Sequence, residues 1–178
     1  MYIPPNSCDI KKVVNIENPV YQSFKGRYFI GQSNLLSFGF DGYAWGALYN
    51  PQNSGVILYV SVVTVTNTSN LPIKSRIYMG SSIPEGAITV TSITPANLAF
   101  SPPPKPMVRF LAGQFLTDEI TDGIKAFTRI VPSNSTLANE KDGKIVIPPG
   151  SSFLTLLVPP GPELVKADIA YGWWEKKI

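Results

Sequence analysis

The chain holds no histidine and only one cysteine, Cys8, in 178 residues. Without histidine, neither a Ser-His-Asp nor a Cys-His nucleophile can be assembled. A zinc site would have to do without its two favoured ligands, and one cysteine cannot form a disulfide within the chain. Cys8 is therefore expected to be an unpaired thiol or, less simply, a bond to a second copy. Charge is scarce too. Asp, Glu, Lys and Arg make up 15% of the residues, against roughly 25% in ordinary soluble proteins. A surface of this kind, rich in Ser, Thr, Asn and Gly, suits virion, spore or cell-surface proteins better than cytoplasmic ones, and also subunits that hide area against one another. No apolar run approaches the roughly 20 residues that span a bilayer, so membrane insertion is not expected. The opening Met1-Tyr2-Ile3-Pro4-Pro5-Asn6 lacks the basic and apolar regions of a secretion signal. The net charge of +3 comes from 15 basic residues spread along the chain. Nucleic-acid binders concentrate such charge and interleave it with aromatics, so nucleic acid is not an expected partner. The glycines sit at turn positions rather than in a phosphate-binding pattern, and no cofactor is expected.

What is present is β pattern. Lys144 to Glu175 contains three runs of strand-forming residues cut by Pro148-Pro149-Gly150 and Pro159-Pro160-Gly161, which neither continue a helix nor sit in a central ladder. In the last run Val165, Ala167, Ile169, Tyr171 and Trp173 share one face, with Lys166, Asp168, Ala170, Gly172 and Trp174 on the other. Upstream, strands are predicted over 27–30, 35–38, 43–49, 56–66, 73–79, 87–93, 107–110, 113–116 and 124–131. Turn signals arrive about every 8–14 residues, the rhythm of a sandwich or barrel. Residues 132–143 read as a polar loop, and 117–123 as the one place for a helical turn, with Thr117 as its cap. Residues 1–24 read as an N-terminal arm and 25–178 as a single β-sandwich domain, long enough to bury a core without staples.

Several features invite a functional reading. In the run 56–66, Val56, Leu58, Val60 and Val62 share a face while Val63 and Val65 fall on the other. Either both faces are covered there, or a bulge near Val62 shifts the phase. On the first view Val63 and Val65, with Trp174, are candidates for an interface between copies, and Cys8 is a further candidate there. Trp174 must point away from Trp173, towards another strand, a subunit or a sugar ring. Tyr43, Trp45 and Trp174 are accordingly the candidates for the alternative role of a glycan platform. Asp118, Glu119 and Asp122 form the one acidic cluster, expected to be a solvated turn. The run Pro102 to Pro106 suits a rigid crossover between sheets better than a PxxP ligand. The sequons at Asn67 and Asn134 are expected to be loop chemistry.

The segment Gly42-Tyr43-Ala44-Trp45-Gly46-Ala47-Leu48-Tyr49-Asn50-Pro51, with Gly55 to Val60, Ile147-Pro148-Pro149-Gly150-Ser151 and Ala170 to Glu175, resembles a loose family of jelly-roll modules. Those modules occur in phage structural proteins (head-fibre, decoration and tail-associated domains) and in proteins of spore-forming bacteria. The likeness covers roughly residues 27–175. It implies an all-β, two-sheet jelly-roll-like β-sandwich, a structural role, and assembly as a trimer or repeating subunit. It supplies no catalytic residue, so no enzymatic activity is expected. The expected partner is the chain itself, with the arm laid across the sheet edge of a neighbour.

Overall fold

The computed structural model describes residues 13–40 and 42–178; Cys8 lies outside them. It is an all-β sandwich of two antiparallel six-stranded sheets, preceded by a short helix. The elements are α1 (Asn18–Phe24), β1 (Tyr28–Gln32), β2 (Leu36–Phe38), β3 (Tyr43–Asn50), β4 (Val56–Asn67), β5 (Ile73–Met79), β6 (Ile88–Thr89), β7 (Ile93–Pro95), β8 (Arg109–Leu116), β9 (Ile124–Val131), β10 (Ser135–Ile147), β11 (Ser151–Val158) and β12 (Val165–Lys177). One sheet has the order β10-β4-β12-β1-β7, with β2 also paired to β12. The other runs β6-β8-β3-β11-β5-β9.

The pairings nest. Tyr28 opposes Trp174, Asn50 opposes Ser151, Asn67 opposes Ser135, and Met79 opposes Ile124. Partners thus lie at nearly equal distances on either side of a midpoint near Ser101. The chain behaves as one long antiparallel hairpin rolled into two layers. Residues 80–123, around that midpoint, return to close one side: β7 pairs with β1, β8 with β3 and β6 with β8. The proline run links β7 of one sheet to β8 of the other, as a rigid crossover should.

Between the sheets lie Phe38, Leu48, Leu58, Phe110, Phe153, Ile169 and Trp173, all fully buried. Tyr171 crosses the interior and its hydroxyl lies 2.8 Å from both the Gly46 carbonyl and Thr155 Oγ1. With one proton, it donates to the carbonyl and accepts from the threonine. Along β4 and β12, Gly172 opposes Val62 but Trp173 opposes Val60, so Ser61 is an extra residue. That bulge shifts the phase of β4: Val56, Leu58 and Val60 face inward before it, and Val63 and Val65 after it. Val63 and Val65 are core residues, and their candidacy for an outer interface is corrected accordingly.

Three other expectations change. Residues 135–143, expected to be polar loop, instead join 144–147 in strand β10, because β4 supplies a ladder to a segment whose own pattern is polar. Residues 117–123 form no helix; side-chain latches hold them as a crossing loop. The arm contains α1, a helix too short to show a period, started by Pro19 in its first turn and stopped at Gly26 with φ +67°.

Candidate functional site

Both outward-facing tryptophans are covered by their own chain. Trp174 does point away from Trp173, but it stacks on Tyr59 (ring centroids 5.4 Å apart, planes 5° apart) and lies beside Tyr28 at 6.3 Å. The looped-out residues 141–144 of β10 close over it. Gly143, with φ +74°, touches the indole so closely that a Cβ would overlap the ring. Trp45 packs on the outer face of the second sheet with Tyr78, Leu154 and Leu156, under Ile83 and Ile120 from the covering loops. Neither ring is available to a sugar or a neighbouring subunit, which corrects both candidacies; Tyr43 is half-buried beside Trp45.

The polar clusters act as latches. Glu119 accepts hydrogen bonds from the Tyr78 hydroxyl (2.9 Å) and from Arg76. The Tyr78 bond first, with Arg76 behind it, holds its carboxyl below the usual range despite partial burial. Asp122 accepts from the backbone N–H and the hydroxyl of Ser82, each at 2.7 Å. Together they tie the loop 117–123 across the second sheet and over Trp45. Glu175 is buried and accepts from the N–H groups of Met107 (2.9 Å) and Val108 (3.1 Å) and from the Trp173 indole (3.1 Å). It fixes the end of the proline crossover, and burial raises its carboxyl above the usual range. Asn67 spends its amide on the carbonyls of Leu71 and Pro132, as a turn residue does. The rim of the cleft beside Trp45 carries Glu85 and Asp118, both solvent-exposed. Among the described residues, no three Asp or Glu side chains are grouped to hold a metal ion.

One long side of the sandwich is open. There β9 and β10 each have one unpaired edge. This side is blunted: β9 is bulged at Ala126, β10 loops out at 141–144, and Lys125 and Arg129 stand exposed. Lys141 lies 4.4 Å from the Phe127 ring and donates to Asn139. Burial, then the nearby Arg129 charge, lowers its ammonium pKa. These features hinder strand addition, while Ile124 (72%) and Ile130 (66%) leave apolar side chains exposed along β9.

The two ends are different. At the end where β1 starts and β12 finishes, α1 exposes Phe24 (61%), Val20 and Tyr21, and the residues leading into it leave Val13 (81%), Val14 (78%) and Ile16 exposed. Phe100 packs there against Gly26. At the opposite end three loops meet. Gly39 and Gly42 exchange backbone hydrogen bonds, the Phe40 N–H donates to the Pro162 carbonyl, Gly39 lies against Glu163 and Leu164, and Gly42 lies against Phe115. These backbone contacts bring the segments that carry exposed Phe40 (71%), Phe115 (51%) and Leu164 to one end of the sandwich. Phe40 and Phe115 have φ of 52° and 59°, a region costly for bulky side chains. Sequence reasoning passed over this patch. Its one signal was Phe40 in a Gly39-Phe40-Asp41-Gly42 turn, where a large apolar residue serves no turn geometry.

Over its whole length, residues 1–178, the chain matches the model of the family described as "Family of unknown function (DUF6143)" and belongs to that family. No curated protein and no solved structure matches it.

Proposed function

We propose that this DUF6143 member is a structural, self-associating β-sandwich subunit of a virion, appendage or shell-type assembly, whose work is packing rather than catalysis. The observation that carries this reading is the apolar surface left bare at both ends, and also along β9 at Ile124 and Ile130. The chain spends its own loops covering Trp45 and Trp174 on the sheet faces, yet leaves apolar side chains uncovered at both ends. Contiguous exposed apolar groups at several loops are the usual mark of an interaction surface. The nested strand pairs β1–β12, β3–β11, β4–β10 and β5–β9 support a jelly-roll reading, an architecture used in capsid subunits. Fold alone does not carry function, so the weight rests on the ends. A stable assembly would bury about 800 Å² per partner. Light scattering on the full chain at micromolar concentration tests it: a species heavier than the 19.4 kDa monomer is expected, and a strict monomer refutes the reading.

A further inference from the structure

The geometry points to a head-to-tail contact, in which the arm of one copy (Val13, Val14 and Phe24) docks on the Phe40–Phe115–Leu164 patch of a second copy. The inference rests on the self-association proposed above and assigns its interface.

The two apolar surfaces lie at opposite ends of the sandwich. The arm leads into the start of β1, beside the end of β12. The patch sits where β3 and β12 begin and β8 ends. Between these ends runs β4, whose 12 residues extend about 40 Å at roughly 3.3 Å per residue. The two surfaces therefore cannot cover each other within one molecule. A second copy brings them together.

Charge points to the same occupant. Among the described residues, Lys25, Arg27, Lys105, Arg109, Lys176 and Lys177 stand exposed around the arm, against Glu17 and the exposed Asp142–Lys144 pair. Beside the patch stand exposed Glu163 and Asp118, with one exposed cation, Lys166, next to Leu164. End-to-end contact brings opposite charges together, whereas patch against patch or arm against arm opposes like charges. The bulge in β9 and the looped-out residues of β10 hinder strand pairing along that edge, where Ile124 and Ile130 are also exposed. A contact between two different surfaces of one chain repeats, closing into a ring or running on as a filament according to the rotation between copies. The strained backbones at Phe40 and Phe115 fit this role: the fold tolerates the strain in order to hold two rings in solvent.

Complementation tests it. One variant, Val13→Asp with Val14→Asp, disables the arm and keeps the patch. The other, Phe40→Asn with Phe115→Asn, disables the patch and keeps the arm. Asn tolerates left-handed φ better than Phe, so the second variant is expected to fold at least as well as the parent, checked by its thermal midpoint. Light scattering should find the parent assembled and each variant at 19.4 kDa. An equimolar mixture should form a one-to-one dimer of twice that mass, since one arm and one patch remain intact. An assembled parent with variants that stay assembled, or with a mixture that stays monomeric, overturns the head-to-tail contact and leaves self-association standing. A monomeric parent removes both.

Discussion

Replacing Tyr171 by Phe deletes a single hydroxyl from the centre of the sandwich. That hydroxyl is 2.8 Å from the Gly46 carbonyl on β3 and 2.8 Å from Thr155 Oγ1 on β11, so it joins the two sheets through a fully buried path. Its loss removes a net hydrogen bond of about 1 kcal/mol and strands the Thr155 hydroxyl, at a further cost of about 1–2 kcal/mol. Thr155 is fully buried and makes no other side-chain hydrogen bond among the described residues. The expected loss is about 2–3 kcal/mol, or roughly 4–12 °C in the thermal midpoint of a chain this long. The assay is urea unfolding followed by tryptophan fluorescence, since all three tryptophans are buried. Midpoints are compared at one protein concentration, because association couples to unfolding. The decisive arm is Tyr171→Phe combined with Thr155→Val, which removes both partners. It should be less destabilised than the two single losses summed, by about 1 kcal/mol or more. Strict additivity, or a Tyr171→Phe midpoint equal to the parent's, would show that the hydroxyl pair joins nothing.

Gly143→Ala should cost about 2 kcal/mol or more, because φ +74° disfavours any Cβ and the indole it would strike is held by Tyr59 and Tyr28; thermal unfolding measures it, and a change under about 0.5 kcal/mol refutes the packing over Trp174. Val65→Ala should lower stability by about 2 kcal/mol without changing the native mass, as a core position does and an interface position does not. Glu119 and Glu175 titrate with opposite signs. Glu119, with its pKa lowered from 4.5, adds stability above that value that is lost as pH falls through the lower folded pKa. The thermal midpoint of Glu119→Gln should therefore lie below the parent's at neutral pH and meet it in acid. Glu175, with its pKa raised from 4.5, works the other way: its contribution is full below 4.5 and lost as pH rises through the folded pKa. A carboxyl-resolved NMR titration should place Glu175 above Glu119; the reverse order would contradict the burial of Glu175.

The proline-glycine breaks and the two-residue alternation of 165–173 were enough to read an all-β sandwich, because turn chemistry and strand period are local properties of the backbone. The same holds for β5 and β9, whose predicted limits match those observed. The proline run was legible as a crossover for the same reason. Local pattern left two answers for β4, since Val63 and Val65 could face outward or follow a bulge. The choice fell to the long-range pairing with β12, where Ser61 has no partner. Strand β10 and the covers over Trp45 and Trp174 were likewise decided at a distance, by a β4 ladder and by loops drawn from residues 80–123 and 141–144. Alternation says that a ring points away from the core, but not whether another part of the chain will reach it. The end patch was beyond the sequence because the segments carrying Phe40, Phe115 and Leu164 meet only in the folded chain. Residue order set the period and the turns; which surfaces stayed bare depended on where the rolled hairpin brought distant segments together.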